Sequence, residues 1–252
     1  MLPADPLLLA LLLGLVFLVA AAYSSVGHGG ASGYLAVLSF FGFAPAAMAP
    51  SALVLNLLVA GLSFISYWRA KHFAGSLLWP FLVASVPCAY LGGRLGVSPR
   101  VYLVLLAAAL LFAAFRLAMK TATLSEEPFL KPPPLVVALP VGAGIGVLSG
   151  MVGVGGGIFL SPLILLAGWA DAKRTAAVSA AFIWINSVAG LLGQLTRVSV
   201  DWPSLGWLVS AAFAGGVLGS WLGAQRFRSL WIRRILALVL LIAAVKLVRT
   251  AF

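Results

Sequence analysis

Val26-Gly27-His28-Gly29-Gly30 interrupts the first long apolar stretch of the chain, and Val152-Gly153-Val154-Gly155-Gly156 interrupts another about 126 residues later. Glycine-rich backbone cannot face lipid, because hydrocarbon offers no partners for its N–H and C=O groups. We call these stretches the first and second glycine breaks. Their recurrence predicts a chain of two related halves, each opening with a broken apolar segment.

Composition places the chain in a membrane. It has 252 residues, of which 63% are hydrophobic and 8% are charged, whereas soluble domains carry about 25% charged residues. The net charge of +11 comes from 16 Lys and Arg residues scattered between apolar runs, which suits anionic headgroups and excludes nucleic acid as a partner. We therefore expect a multi-pass protein of the bacterial inner membrane, whose surroundings are the lipid bilayer.

The apolar segments predict an all-α fold, because a membrane-spanning helix needs about 20 apolar residues. No Lys or Arg precedes the first segment, so we interpret it as a permanent membrane segment and not as a signal peptide. The candidate segments are Pro6–Ser24, Gly29–Gly42, Pro45–Trp68, Ser76–Leu95, Val101–Met119, Leu135–Ser149, Gly155–Ala170, Thr175–Leu195, Leu205–Ala224 and Trp231–Val248.

Further matches support the duplication. Gly42 corresponds to Gly168, and Asn56 before Val59-Ala60-Gly61 resembles Asn186 before Val188-Ala189-Gly190 if a short gap is allowed. Between the halves lies a polar, proline-rich stretch that cannot continue a helix. The predicted organisation is an N-terminal transmembrane repeat (1–120), a cytoplasmic linker (121–134) and a C-terminal transmembrane repeat (135–252).

The charge distribution favours inverted repeats. If each opening region crossed the membrane once, the halves would be parallel and the basic residues would divide evenly. If each forms a broken helical hairpin followed by three transmembrane helices, eleven basic residues lie on one side and five on the other, in accord with the positive-inside rule. Both termini are then outside. The five outer residues are Arg94, Arg100, Arg197, Lys246 and Arg249.

The glycine breaks are the predicted binding site. Broken helices at matching places in two halves are typical of transporter sites, and the helix that follows each break presents unpaired N–H groups that bind anions. The alternative is that the glycines serve only helix packing. No Gly-Lys-Ser/Thr follows them, which excludes a P-loop. The backbone candidates are Gly27, Gly29, Gly30, Gly153, Gly155, Gly156 and Gly157.

Polar side chains near the breaks complete the candidate set. Asn56 and Asn186 lie in apolar helices, where each donates to a substrate oxygen or joins two helices. His28 is a candidate for a hydrogen bond to the substrate and for proton coupling, since histidine titrates near pH 6.5; the alternative is a membrane-edge histidine bonded to backbone. The flanking hydroxyls are those of Ser24, Ser25 and Ser32.

The sequence offers no catalytic machinery. Its acids are Asp5, Glu126, Glu127, Asp171 and Asp201, all near segment ends or loops, and Cys88 is its only cysteine. We therefore expect neither an enzyme nor a metal or cofactor site.

Residues 25–34 and 150–157 resemble the corresponding motifs of the TauE/SafE family of sulfite and organosulfur anion exporters. The resemblance covers nearly the whole chain and implies transport of small sulfur-containing anions, such as sulfite or sulfonates, by a secondary mechanism. The first motif departs from the family pattern by carrying His28 and Ser32. The remaining alternatives are an anion channel of the same architecture and a membrane enzyme or assembly factor in sulfur metabolism; a homodimer is also left open.

Overall fold

A computed structural model describes residues 2–95, 97–118, 130–225, 241 and 244–249. Within these ranges the chain is helical, and its only β-structure is an isolated bridge between Leu130 and Ala170. Residues 244–249 are helical as well. The other helices are α1 (Pro6–Ser24), α2 (Ala31–Phe40), α3 (Pro45–Arg69), α4 (Gly75–Arg94), α5 (Pro99–Ala118), α6 (Leu135–Val152), α7 (Gly157–Leu166), α8 (Ala172–Leu195) and α9 (Trp202–Gln225).

The predicted all-α membrane fold is confirmed. Among the described residues, six helices are long and apolar enough to cross a membrane: α1, α3, α4, α6, α8 and α9. The second arms of the two hairpins, α2 and α7, have only 10 residues each. The predicted linker lies mostly outside the described residues, as does most of the last predicted segment.

Local sequence sets the helix ends. Asp5 accepts a hydrogen bond from the amide of Leu7 and is followed by Pro6 at the first helical position, so α1 starts where the sequence predicts. Helices α2 and α7 are shorter than predicted, because Gly30 and Gly156 precede them with φ values of 96° and 81°, and Gly42 and Gly168 follow them with φ values of 73° and 61°. Such left-handed backbone suits glycine and cannot belong to an α-helix.

The halves interlock through glycine. A Cβ atom at Gly142, Gly146 or Gly150 of α6 would collide with a carbonyl oxygen of α4. The oxygens belong, in the same order, to Phe81, Ser85 and Ala89. Both series ascend together, so α4 and α6 pack closely and run in the same direction.

The same arrangement recurs between α1 and α9. Gly215, Gly219 and Gly223 of α9 would each collide, if they carried a Cβ atom, with a carbonyl oxygen of α1. These oxygens belong in order to Phe17, Ala21 and Ser25. The first helix of each half therefore packs in parallel against the fourth helix of the other half.

Helices α3 and α8 cross the centre and run antiparallel. A Cβ atom at Gly61 would lie 3.4 Å from Nε1 of Trp184, and one at Gly190 would lie 3.5 Å from Leu53. A Cβ atom at Gly93, near the end of α4, would collide with the carbonyl of Gly190. The end of α4 is thus level with the beginning of α3, and these two helices are also antiparallel.

Helix α9 runs parallel to α3. A Cβ atom at Gly216 would lie 3.3 Å from Val59, and the hydroxyl of Ser66 donates to that of Ser220 at 3.2 Å. The contacts ascend together along both helices. Helix α8 is the most deeply buried of the six candidate spans, so the centre of the protein lies between α3 and α8.

Candidate functional site

The two glycine breaks meet at the centre, on either side of one polar and one apolar side chain. A Cβ atom at Gly155 would lie 2.5 Å from Nδ2 of Asn56 and 2.9 Å from Cγ2 of Ile183. A Cβ atom at Gly29 would collide with Oδ1 of Asn56 and lie 3.2 Å from Cγ2 of Ile183. Both breaks therefore need glycine here, because the backbone approaches α3 and α8 too closely for any side chain.

Asn56 links the two breaks by hydrogen bonds. Its Oδ1 accepts from the amide of Ala31, at the start of α2, at 3.0 Å. Its Nδ2 donates to the carbonyl of Val154, in the second break, at 3.3 Å. The residue is fully buried. Asn56 thus joins the two halves of the chain by hydrogen bonds.

The structural counterpart of Asn56 is Ile183, and not Asn186 as the sequence match suggests. Gly29 and Gly155 each face both Asn56 and Ile183, as equivalent positions must. Asn186 lies about one turn farther along α8, where its Nδ2 donates to the carbonyl of Phe182 within the same helix at 2.9 Å. The short gap allowed when the two halves were aligned by sequence therefore placed Asn56 opposite a residue three positions too far along α8.

Helices α2 and α7 begin at the breaks, and the glycine amides just before their first residues are unpaired. Gly30 and Gly156 are their N-cap residues. In the described part of the chain, no group accepts a hydrogen bond from the amides of Gly29, Gly30, Gly155 or Gly156. Two helix N-termini with free amides, close to one another, form an electropositive centre without a formal charge.

Three polar side-chain atoms of α6 and α8 are unpaired. They are Oδ1 of Asn186 and the hydroxyls of Ser187 and Ser149, all buried and without a partner among the described residues. The hydroxyl of Ser187 lies 3.0 Å from the Cβ position of Gly155. A native protein seldom leaves such groups unpaired without a water or ligand to satisfy them.

His28 joins the first break to the second half. Its Nδ1 lies 3.0 Å from the carbonyl of Val26, and its Nε2 lies 3.0 Å from the hydroxyl of Ser161 on α7. A carbonyl only accepts, so Nδ1 carries the proton, and in the neutral ring Nε2 accepts. The hydroxyl of Ser161 also lies 2.8 Å from that of Ser179 on α8. His28 therefore begins a polar chain that crosses between the halves.

The other predicted serines have local partners. Ser24 and Ser25 donate to carbonyl groups one turn earlier in α1, at 3.3 and 2.7 Å. The hydroxyl of Ser32 lies 2.8 Å from that of Tyr23. None of these hydroxyls contacts the centre in this conformation.

The outer glycines of the breaks fit against small residues. A Cβ atom at Gly27 would lie 2.6 Å from the Cβ of Ala176, and one at Gly153 would lie 2.9 Å from the Cβ of Ala49. These contacts are equivalent in the two halves. A Cβ atom at Gly157 would collide with Ile183. Gly27, Gly153 and Gly157 thus allow close packing around the centre.

Two residues that the sequence analysis did not single out as site residues hold the ends of α1 and α6. The hydroxyl of Tyr67 donates to the carbonyl of Ser25 at 3.0 Å, and Nε2 of Gln194 donates to the carbonyl of Gly150 at 2.9 Å. Ser149, Ser161, Ser179 and Ser187 were missed as well. Serine is common where membrane helices touch, so its presence alone gives no functional signal.

Among the described residues, no cluster of His, Cys, Asp and Glu could hold a metal ion.

Basic groups surround the face on which α3 ends and α8 begins. There Asp171 caps α8, accepting from the amides of Lys173 and Arg174 at 3.0 Å. Burial and, to a smaller extent, the charges of Lys173 and Arg174 lower the pKa of His72 below 6.5, although Asp171 opposes them. Lys173 and Arg174 thus add to the effect of burial in disfavouring the protonated form of His72.

Relatives match nearly the whole chain. Residues 12–247 match the family described as "Sulfite exporter TauE/SafE". A Sinorhizobium fredii (strain NBRC 101917 / NGR234) protein named "Probable membrane transporter protein y4hK" is 37% identical over 235 residues, 92% of this chain and 94% of the relative. No solved structure matches significantly. The similarity extends through both halves and both glycine breaks.

Proposed function

Because the chain belongs to the TauE/SafE family and is a multi-pass membrane transporter, we propose that it exports a small sulfur-containing oxyanion, such as sulfite or a sulfonate, across the bacterial inner membrane. The observation that carries the proposal is the meeting of two glycine breaks, with unpaired amides, at the centre of the protein. The export direction follows the name of the family.

The anion lies between the N-termini of α2 and α7 in this proposal. Backbone amides of Gly29, Gly30, Gly155 and Gly156 donate to its oxygens, and the free hydroxyl of Ser187 adds a further donor. Neutral donors suit this task, because they bind an oxyanion without the strong attraction of a buried lysine or arginine that would hinder release. Asn56 holds the two breaks together around the anion and faces it with its amide.

Helix directions support inverted repeats. Helix α1 runs with α9 and α3, whereas α6 runs with α4, which is opposed to α3. Equivalent opening helices α1 and α6 therefore run in opposite directions. In an inverted pair, movement of one repeat against the other exposes the centre to each side in turn.

Proton coupling is assigned to the first half alone. His28 meets Ser161 and Ser179 across the halves, whereas the equivalent position in the second break is Val154. A proton on Nε2 would turn this nitrogen from acceptor to donor and reverse its bond with Ser161. Protonation of His28 would thus change its hydrogen bond with Ser161, which is a contact between the two repeats.

The test substitutes Gly155, whose φ of 75° and contacts with Asn56 and Ile183 exclude a side chain. Gly155→Ala should abolish sulfite counterflow in proteoliposomes. The matched control is Gly144→Ala, since nothing lies within 4 Å of a Cβ atom at this exposed position of α6. Gly144→Ala should insert and purify like the parent, and the counterflow of Gly155→Ala is compared at equal amounts of folded protein.

Unchanged counterflow with Gly155→Ala would refute the proposed site. Saturable counterflow identifies a carrier, whereas a voltage-driven conductance without counterflow would identify an anion channel and contradict the secondary mechanism.

A further inference from the structure

A pocket lined by both polar and apolar residues lies on the face where α3 begins. Its volume is about 110 Å³. It opens between the starts of α3 and α5 and the ends of α6 and α8. The residues that carry the argument are Ala46, Ala49, Tyr102, Met151, Gln194 and Arg197.

Arg197 brings a positive charge without an acidic partner. Its Nε donates to the carbonyl of Gly93 at 3.0 Å, and its Nη2 donates to Oε1 of Gln194 at 2.9 Å. Both partners are neutral, and in the described ranges the only ion pair joins Arg174 to Asp171. The guanidinium retains unused N–H donors, because it has five in all. Its orientation is fixed while its charge stays available.

Tyr102 brings an unpaired donor. The side chain is 6% exposed and lines the pocket. Its hydroxyl is buried and has no partner among the described residues. An unpaired buried hydroxyl is unfavourable, so an acceptor inside the pocket would stabilise it. Helix α3 also begins here, with no side chain capping its first amides.

We propose that this pocket binds a small oxyanion between the Arg197 guanidinium and the Tyr102 hydroxyl. A single water needs about 10–15 Å³ of cavity volume, so 110 Å³ accommodates a tetrahedral or pyramidal oxyanion together with water. The inference deepens the proposed function, on which it rests for the identity of the anion. The distribution of basic residues predicts that this face lies outside the membrane. The pocket is then an outward-facing binding site for the transported anion.

The pocket is connected to the second glycine break. Gln194 accepts from Arg197 and donates to the carbonyl of Gly150 at the end of α6. Ala49 lines the pocket and also packs against Gly153. Gln194 and Ala49 thus place Arg197 beside the second break, through which the anion of the proposed function would leave.

The test measures the anion preference of the pocket without requiring transport. Val198 lines the pocket, and Val198→Cys is introduced with Cys88→Ser, which removes the native thiol. The cysteine is labelled with an anionic and with a cationic methanethiosulfonate, and sulfoacetate is added as competitor. The ratio of anionic to cationic labelling rates should fall at least about fivefold with Arg197→Gln, from the Coulomb energy of one nearby charge.

Two controls separate charge from fold. Arg197→Lys should keep the ratio near the parent value, and Arg249→Gln, an equal change of net charge on the same predicted face, should leave it unchanged. Sulfoacetate should slow labelling in the parent, and Tyr102→Phe should weaken this protection. The proposed anion site would be refuted if the ratio of anionic to cationic labelling rates were the same in the parent and in Arg197→Gln. It would also be refuted if sulfoacetate protected both proteins equally.

Counterflow in the same proteoliposomes separates this inference from the proposed function. Protection without counterflow would support the pocket and refute carrier function. Counterflow without protection would support the carrier and refute the pocket.

Discussion

Replacing Asn56 with leucine should destabilise the protein as well as stop transport. The substitution removes the bonds to the amide of Ala31 and the carbonyl of Val154, at 3.0 and 3.3 Å. Membrane hydrogen bonds average about 0.6 kcal/mol and reach about 1.7 kcal/mol each, and leaving both backbone groups buried without partners adds to the loss. We expect the free energy of unfolding to fall by about 2–4 kcal/mol.

The matched variant is Asn186→Leu. Asn186 donates only to a carbonyl of its own helix, and its Oδ1 has no partner among the described residues. Removing it should change the free energy of unfolding by less than about 1 kcal/mol. A lower transport rate at unchanged stability would assign Asn186 to anion binding, and an unchanged rate would assign it to helix packing, which are the two roles that the sequence leaves open.

The assay is unfolding of the purified protein in mixed micelles by increasing sodium dodecyl sulfate, followed by tryptophan fluorescence, with sulfite counterflow measured on the same preparations. Asn56→Asp adds a charge probe, because it keeps an acceptor for Ala31 but loses the donor to Val154 and repels an anion. The bridging role of Asn56 is wrong if Asn56→Leu unfolds at the same detergent concentration as the parent or as Asn186→Leu.

Ser161→Ala removes the hydroxyl that meets Nε2 of His28, so the pH dependence of transport should shift between about pH 5 and 8; a superimposable profile would contradict coupling through this contact. Gly146→Val should sharply reduce the yield of folded protein, because its side chain would enter the backbone of α4, and normal yield on size exclusion would refute the close packing. Burial and the charge of Lys173 lower the pKa of His72, so Lys173→Gln should raise the titration midpoint of His72 by NMR. The folded state binds this proton more weakly than the unfolded chain, so stability should fall as pH drops through about 6.5; an unmoved midpoint contradicts the assignment.

Hydropathy was sufficient to predict the helices because lipid leaves few alternatives to them. The prediction was best where a cap marks the boundary, as at Asp5 and Pro6 before α1. It overextended α2 and α7, where glycines of positive φ end the helix inside an apolar run. Hydropathy records how apolar a residue is, and it does not register backbone conformation.

The candidate site was predicted as a region more accurately than residue by residue. Glycine density and duplication were enough to locate both breaks, and Asn56 does lie between them. The predicted equivalence of Asn56 with Asn186 does not match these contacts, in which Ile183 takes that place. A shift of one turn along a helix preserves the apolar pattern of the sequence, but it changes which residue faces the centre. The hydroxyls of Ser161, Ser179 and Ser187 depend on contacts between distant helices, which no local pattern encodes.

The parallel pairing of α1 with α9 has a consequence for biosynthesis. The carbonyl groups of α1 at Phe17, Ala21 and Ser25 are covered by glycines of α9, a helix synthesised about 200 residues later. Helix α1 must therefore wait, beside the insertion machinery or in lipid, until α9 has been translated. Neither half can finish folding on the ribosome alone, and two separately expressed halves should assemble only with each other.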